Sequence, residues 1–348
     1  MIRRLPVASL LLLITTGALA ATPNCQFEKL PVGEETLGTW IDKSNWLAIE
    51  NQRLTLQSGE LFMATWRLSP ASDGQAVVTK QRPIDDFQAI DPFDGKQRNL
   101  GFLLDSRLYA DGLVVLRNGR VITERYRNGL TPDKPRLLLE ATRPLLNLLG
   151  AISVSQGKLA ADKSVIRYLP DLATSTGLRK ISIRRLLDSE ERHAWSPEEL
   201  DSWRHAGGWT DNQADSSIRT WLSQSGRWDK PLNEQEGAIF DASPDDDLLA
   251  WTLAKSNATP LSRLFCEQLL VRVNPEHDVL WVSDSQGVEL ASGLGLSLRD
   301  FAKLGQLLVE ARSSRNRTKI PGWFIEPLVA SSGRRSTEIK GLTKRSEQ

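Results

Sequence analysis

The stretch Asp111-Gly-Leu-Val-Val-Leu-Arg-Asn-Gly-Arg-Val-Ile-Thr-Glu-Arg-Tyr126 decides the fold. Its two arms, 112–116 and 121–126, are rich in β-branched and apolar residues. Asn118-Gly119 lies between them, and this dipeptide suits the left-handed backbone of a type I′ turn. The stretch therefore predicts a β-hairpin.

Helical patterns follow the hairpin. Residues 144–156 carry leucine and isoleucine at the spacing of one helix face, and Gly157 stands where a helix is expected to end. Another helix is expected to start at Ile181, and 298–310 is amphipathic. The sequence thus predicts an α/β protein: an antiparallel sheet flanked by helices, with a mostly helical insertion, or subdomain, over about 140–290.

The clearest helix start is Ser243-Pro-Asp-Asp-Asp247. Ser243 suits the N-cap, Pro244 suits the first helical position, and the acids complement the positive end of the helix dipole. The same aspartates could serve as metal ligands, but capping accounts for all three. Because no histidine pair has ligand spacing either, the sequence predicts no metal and no other cofactor.

The N-terminus predicts export. Arg3 and Arg4 precede a mostly apolar core over 7–15, and Ala18-Leu-Ala20 is a small-x-small cleavage site. The apolar core is too short to span a bilayer, which needs about 20 residues. We therefore expect a signal peptide over 1–20, cleaved after Ala20, and a periplasmic or secreted protein without a membrane span.

Residues 21–100 predict a β-rich N-terminal extension and a linker. The expected strands contain Thr, Val and aromatic residues, and Gly, Ser, Asn and Asp separate them. They are Leu37–Trp40, Arg53–Gln57, Leu61–Trp66 and Ala76–Thr79. Residues 83–98 are expected to form the linker.

Net charge, tryptophan content and the two cysteines limit which classes of partner and environment fit this protein. The formal net charge is +1, and loss of the signal arginines makes it −1, so nothing favours a nucleic-acid partner. The 11 Trp residues favour buried core anchors over a surface that binds a flat ligand. Cys25 and Cys266 could form a disulfide in an oxidising compartment, but Cys266 lies in a helical pattern where a free buried cysteine packs equally well.

Three stretches resemble, in order and spacing, the serine β-lactamases and penicillin-binding proteins. The nearest group contains the 6-aminohexanoate-dimer hydrolases and class C-like esterases. The stretches lie within 111–173 and 240–310, and they are 111–126, 157–172, and 288–293 with 299–308. The resemblance implies a β-lactamase/transpeptidase-like domain over 101–330.

The resemblance also implies how the site would work. The hairpin would belong to the central antiparallel sheet, and the next helix would carry Ser-x-x-Lys at its N-terminal end. Serine and lysine three residues apart share one helix face, so a neutral amine can take the hydroxyl proton. The helix N-terminus favours the developing negative charge. A tyrosine would relay protons, and a late strand with Lys-Thr-Gly would close the site.

This sequence departs from the family pattern at each chemical position. The alignment puts Glu140-Ala-Thr-Arg143 in place of Ser-x-x-Lys. A carboxylate is a poor acyl acceptor here, and a guanidinium does not give up its proton to act as a base. The tyrosine position falls on Ala242, or on Asp241 with a one-residue shift. We therefore predict a catalytically inactive site, in which Glu140 and Arg143 could pair with each other. The alternative is that the two residues serve as a repurposed acid or binding pair.

Other hydrolytic arrangements have less support. Ser155-Gln-Gly-Lys158 is a literal Ser-x-x-Lys, but Gly157 is expected to end the helix between its two ends. A Ser-His-acid triad lacks its Gly-x-Ser-x-Gly turn. We interpret the histidines as surface or satisfied core residues: His193, His205 and His277.

The family's late strands are missing after Ile320-Pro-Gly-Trp-Phe. Residues 331–348 lack apolar alternation and are expected to form a basic, disordered tail. Without the late strands the hairpin would be a narrow sheet with an open edge. Either the N-terminal strands complete the sheet or the gene is truncated, and we favour truncation.

The leading hypothesis is an exported, inactive β-lactamase-family protein, either vestigial or a binding module for peptidoglycan fragments or small amides and esters. One alternative is an active amidase, esterase or β-lactamase with an atypical nucleophile. Another is a structural envelope protein that meets a partner through its Trp-rich region. No sequence feature indicates an oligomeric state.

Overall fold

A computed structural model describes residues 24–31, 33–70, 83–188, 191–210, 217–234, 242–311, 320–321 and 323–324. Three expectations lie outside these residues: the signal peptide, the strand at Ala76–Thr79, and the tail. Within them, no helix is long and apolar enough to cross a bilayer.

The strands are short. In chain order they are β1 (Glu28–Lys29), β2 (Thr36–Leu37), β3 (Ile41–Asp42), β4 (Ala64–Leu68), β5 (Gln88–Ile90), β6 (Gln97–Asn99), β7 (Gly112–Arg117), β8 (Arg120–Tyr126), β9 (Arg136–Leu137), β10 (Glu191–His193), β11 (Leu232–Glu234), β12 (Val279–Ser283) and β13 (Glu289–Leu296).

The helices are concentrated in the second half of the chain. They are α1 (Ile49–Thr55), α2 (Leu100–Phe102), α3 (Arg143–Ser155), α4 (Thr176–Arg179), α5 (Ile183–Asp188), α6 (Pro197–Ala206), α7 (Ile218–Leu222), α8 (Pro244–Asn257), α9 (Leu261–Phe265), α10 (Val271–Val273) and α11 (Leu298–Ala311). Single 3₁₀ or π turns add Gly59–Leu61, Leu103–Arg107, Leu139–Thr142, Val165–Arg167, Pro170–Leu172 and Cys266–Leu270.

A five-stranded antiparallel sheet forms the centre, in the order β1–β4–β12–β13–β9. Every residue of β12 is buried, and so are seven of the eight in β13. Both faces are therefore covered, and α3 and α8 pack against β13. The predicted α/β class, with an antiparallel sheet flanked by helices, is confirmed.

The predicted hairpin is present as β7 and β8. Asn118 and Gly119 both have positive φ, 53° and 73°, as a type I′ turn requires. Among the described residues the hairpin forms a separate two-stranded sheet that packs against α11, so its expected place in the central sheet is wrong. The N-terminal strands β1 and β4 extend the central sheet rather than the hairpin, since β4 pairs with β1 on one side and with β12 on the other.

The strand expected at Arg53–Gln57 is wrong. Its first residues end helix α1, whose sequence Ile-Glu-Asn-Gln-Arg-Leu-Thr contains several good helix formers. Thr55 Oγ1 also donates to the backbone oxygens of Trp46 (2.6 Å) and Asn51 (3.1 Å), which fixes the helical turn. The strand expected at Leu61–Trp66 exists but is displaced along the chain to β4.

The segment 83–98 is not a plain linker. It contains β5 and part of β6, which pair as a hairpin. Fully buried Asp91 holds this hairpin, since its Oδ2 accepts from Arg98 Nε (3.1 Å) and Arg107 Nε (2.7 Å). Strand β6 is Gln-Arg-Asn and has no apolar residue, so the alternation typical of a half-buried strand was missing from the sequence.

The helix signals are confirmed. Helix α3 ends close to Gly157, whose φ is +71°. Helix α8 begins after Ser243, whose N–H donates to Asp246 (3.0 Å), and α11 extends one residue beyond its expected end. The preference of Trp for the core also holds for most of the chain's Trp residues: Trp46, Trp203, Trp209, Trp221, Trp228, Trp251 and Trp281 are buried.

Candidate functional site

Residues 140–143, which the resemblance aligns with the family's Ser-x-x-Lys, lie at the start of α3, beside the central sheet. Leu138 N donates to Leu294 O in β13 (2.8 Å), which fixes the approach to the helix. A 3₁₀ turn over Leu139–Thr142 follows, and α3 begins at Arg143. Glu140 therefore lies in the 3₁₀ turn and is half-buried, whereas Arg143 is buried.

Arg143 is bound on two sides. Its Nη1 donates to Asp246 at the start of α8, and its Nη2 donates to Leu186 O in α5 (2.5 Å). Only 4% of its side chain is exposed. The guanidinium thus joins three helices, and it faces a carboxylate and a carbonyl of the protein.

A second arginine shares this carboxylate. Arg192 Nη1 lies 3.4 Å from Asp246 Oδ2 and donates to Ser243 Oγ (3.0 Å). Asp246 therefore lies between two buried guanidinium groups, which balance its charge. A buried carboxylate is tolerated only with such partners. Arg192 was not predicted from the sequence. The only signal for this cluster was the aspartate triplet at the start of α8, which indicated acidic side chains there.

Burial and hydrogen bonding shift the pKa values of Arg143 and Asp245 in this buried cluster. Burial lowers the pKa of Arg143, and the charge of Asp246 opposes that shift. Burial also acts to raise the pKa of Asp245, but hydrogen bonds from His193 and Trp195 outweigh it, so this pKa lies below its usual value. A guanidinium stays protonated in proteins, so Arg143 cannot act as the general base of the family mechanism.

The other two aspartates of the triplet bind different segments. Asp245 accepts from Trp195 Nε1 (2.7 Å) and contacts His193 Nδ1 (2.6 Å). Asp247 accepts from Trp203 Nε1 (2.8 Å) and from Ala291 N in β13 (2.7 Å). Burial raises the pKa of Asp247 to about 7 against these hydrogen bonds. The start of α8 is thus a junction between the helical subdomain and the sheet.

The described residues enclose a small cavity beside Arg143, and Glu140 does not line it. The cavity beside Arg143 measures about 10 Å³ and is lined by Arg143, Ile181, Arg185, Leu186, Arg192, His193, Leu232 and Asp245. That space holds roughly one water molecule. No group of three potential metal ligands comes together in the part of the chain that the structure describes.

The remaining predicted site residues do not assemble with Arg143. Glu140 makes no ion pair with Arg143 or with any other described residue, so the suggested pair is wrong because Asp246 takes the guanidinium instead. Ala242 is half-buried just before α8, and Asp241 lies outside the described residues. The tyrosines lie elsewhere: Tyr109 is exposed, Tyr126 OH donates to Glu124, and Tyr168 OH accepts from Ala160 N.

The histidines and the literal Ser-x-x-Lys fit structural roles. His193 is a buried, satisfied core histidine beside Asp245, and Ser243 contacts that carboxylate (3.5 Å) rather than the imidazole. His205 lies near Thr210, and the backbone of His277 donates to Asp300. Ser155 Oγ donates to Ile152 O (2.7 Å), and Gly157 turns the chain before exposed Lys158, so the two do not share a helix face.

Cys25 and Cys266 form a disulfide with a Cα–Cα distance of 5.5 Å. The bond joins the segment before β1 to the π turn after α9 and closes a loop of 241 residues. Of the two possibilities that the sequence left open, the disulfide is the one in the structure.

Comparison with known proteins agrees with this architecture. No protein-family model matches the chain. The 6-aminohexanoate-dimer hydrolase of Paenarthrobacter ureafaciens is 23% identical over 320 residues, which cover 89% of this chain and 76% of that protein. A provisionally named 6-aminohexanoate-dimer hydrolase from Bacillus anthracis has a similar structure, with a TM-score of 0.67, 21% identity, and coverage of 82% of this chain and 76% of that one. A provisionally named β-lactamase from Bacteroides dorei gives a TM-score of 0.47 at 18% identity, over 65% of this chain and 67% of that one.

The fold is that of the serine β-lactamases and penicillin-binding proteins. Within that class the chain is similar, in sequence and in fold, to hydrolases of the serine β-lactamase-like family, as the resemblance implied.

Proposed function

We propose that this protein is an exported member of the β-lactamase-like family that binds its ligand without hydrolysing it through an acyl-enzyme. One observation carries the proposal: the residue at the family's lysine position, Arg143, is a buried structural cation bound to Asp246 and Leu186.

The chemistry argues against serine acylation. That mechanism needs a hydroxyl group to be acylated and a neutral base within reach of its proton. Glu140 offers a carboxylate at the first position, Arg143 a permanent cation at the second, and Ala242 a methyl group where the family has tyrosine.

Export is supported by two independent features. The first 20 residues have the basic start, apolar core and small-x-small site of a cleavable signal peptide. The Cys25–Cys266 disulfide suits an oxidising compartment such as the periplasm. Peptidoglycan fragments or small amides and esters are the ligand classes that fit a family member in this location.

A second candidate function is hydrolysis with Glu140 as the nucleophile. Glu140 is half-buried at the position of the family's serine and has no ion-pair partner among the described residues, which leaves its carboxylate available. In such a reaction the Glu140 carboxylate would attack the substrate carbonyl, and the C–N or C–O bond would break to release the amine or alcohol, which takes its proton from water. A second water would then cleave the resulting anhydride and restore the carboxylate.

Activity-based labelling separates these functions. The purified full chain is incubated with a fluorescent penicillin and a fluorophosphonate, and hydrolysis of the 6-aminohexanoate dimer and of a nitrophenyl ester is followed in parallel. We expect no covalent label and no turnover above a heat-denatured control. Turnover that disappears in Glu140→Gln, with unfolding behaviour unchanged, would favour the second candidate. Covalent labelling of a serine would contradict both.

A further inference from the structure

A large cleft lies on a different face of α8 from the Arg143 site. It measures about 940 Å³, within the usual range of small-molecule sites. Asp247, Trp251, Lys255 and Ala258 line one wall at helical spacing. The start of α9, the turn between β12 and β13, helix α7 and the segment after Cys25 form the other walls.

The acidic groups of this cleft are already occupied. Glu289 accepts from Ser262 Oγ (2.5 Å) and from Ser262 N (3.0 Å). Asp247 accepts from Trp203 Nε1 and Ala291 N, as described above. Each oxygen of both carboxylates therefore already accepts a hydrogen bond from a donor of the protein.

The unused polar groups are donors. Arg219 and Lys255 are exposed, and neither forms an ion pair with a described residue. The Arg219 guanidinium lies over the Trp251 ring, 5.8 Å from its centroid. Its positive charge is a minor influence on the pKa of Glu289, which burial raises. Arg263 also lines the cleft, but it is paired with Glu267 (2.7 Å). Two available cations thus stand at this cleft.

Two indole N–H groups add to the donors. Trp66 Nε1 and Trp251 Nε1, in two residues that line the cleft, are buried and have no acceptor among the described residues. Buried donors usually have a partner, so two unsatisfied ones beside the same cleft point to an acceptor that the protein chain does not supply. Because the nitrogens are occluded, a ligand oxygen reaches them only when the rings turn slightly.

We infer that this cleft binds a small organic carboxylate with a flat, apolar body. The carboxylate matches Arg219 and Lys255, and the apolar body matches the aromatic faces of Phe27, Trp66 and Trp251. The inference concerns a different site from that of the proposed function, and it holds whether or not the Arg143 site hydrolyses anything.

Calorimetric titration with naphthoate tests this site, and naphthamide is the uncharged ligand control of the same shape. We expect saturable binding of naphthoate and binding of naphthamide at least about tenfold weaker, because only the carboxylate forms charge-assisted hydrogen bonds. Arg219→Gln and Lys255→Gln should each weaken naphthoate binding by about threefold to tenfold.

Arg263→Gln is the matched variant control. It removes the same charge from the same cleft, but its guanidinium is already paired, so naphthoate affinity should change by less than about twofold. Equal affinity for the amide, no binding, or equal losses in all three variants would each overturn the inference. Because none of the three side chains is buried, urea unfolding should be unchanged and confirms that each variant is folded.

Discussion

Substitution of Arg143 by methionine measures how much this buried guanidinium contributes to the stability of the fold. Methionine keeps much of the apolar volume but removes the guanidinium. Asp246 then keeps the hydrogen bond from Ser243 N (3.0 Å) and the longer contact to Arg192, but it loses its closest cation, and Leu186 O loses its donor. A lost charge-assisted hydrogen bond costs about 1.5–3 kcal/mol, and an orphaned buried carbonyl costs about 1–3 kcal/mol.

The expected loss in the free energy of unfolding is therefore about 3–5 kcal/mol, the usual cost of breaking a buried ion pair. The assay is urea unfolding at pH 7, followed by Trp fluorescence and by circular dichroism to check two-state behaviour. Arg204→Met is the matched control, because Arg204 pairs with Asp201 at the surface of α6 (2.9 Å) and should lose less than about 1 kcal/mol.

A double-mutant cycle isolates the pair itself. Arg143→Met combined with Asp246→Asn should be less destabilised than the sum of the single variants by about 1–3 kcal/mol, because the second change removes a charge that the first left unpaired. If Arg143→Met costs no more than Arg204→Met, or if the two changes are simply additive, then Arg143 is not a structural cation and the reasoning fails.

Three further predictions follow from other parts of the structure. Cys25→Ser with Cys266→Ser should lower the free energy of unfolding by about 3–5 kcal/mol, given the loop of 241 residues, and a reducing agent should destabilise the wild type but not this variant in urea unfolding. Ala258→Gly should raise the melting temperature, with about 0.5–1 kcal/mol gained, because exposed Ala258 ends α8 at φ +52°, and a lower melting temperature would contradict this. The pKa of Asp247 is raised from 3.8 to about 7, so its protonated form stabilises the native state below about pH 4, and this stabilisation is lost as the pH rises through 7. Wild type should therefore lose about 2–3 kcal/mol relative to Asp247→Asn between pH 5 and pH 8 in urea unfolding, and a constant difference would refute the shift.

Local signals in the sequence were sufficient for the hairpin and the long helices. Asn118-Gly119 specifies its turn without help from the rest of the chain, because few other dipeptides adopt two consecutive left-handed residues. Helices α3, α8 and α11 were recognisable because caps and apolar spacing act within one element. The short α1 was not, since three residues of alternating pattern at its end resemble a strand.

The central sheet depended on long-range pairing and was therefore harder to predict. Strand β12 is a short apolar run, Val-Leu-Trp-Val, buried on both faces, and such a run has no periodicity that separates strand from helix. Its neighbour β4 is more than 200 residues earlier in the chain. No short stretch of the sequence therefore indicates the order of the strands in the central sheet.

The sequence placed Glu140 and Arg143 at the start of the helix after the hairpin, and the structure has them there, but their role as a site stays a prediction. The contacts of Arg143 were not predicted. Arg143 and Glu140 share a helical turn in the sequence, but the guanidinium turns towards the buried carboxylate of Asp246, 103 residues away. The packing of distant segments decides which carboxylate the guanidinium binds, and a single sequence does not show which segments come together.

The central sheet draws on both halves of the chain, and this sets the timing of its assembly. Strand β4 emerges early during synthesis, but its partner β12 begins only at Val279. At roughly 5–20 residues per second, translation leaves one edge of β4 unpaired for on the order of 10–40 s. Contacts of such long sequence separation also form slowly. Until β12 has been synthesised, the nascent chain presents an unpaired edge of β4. A holding chaperone could shield that edge.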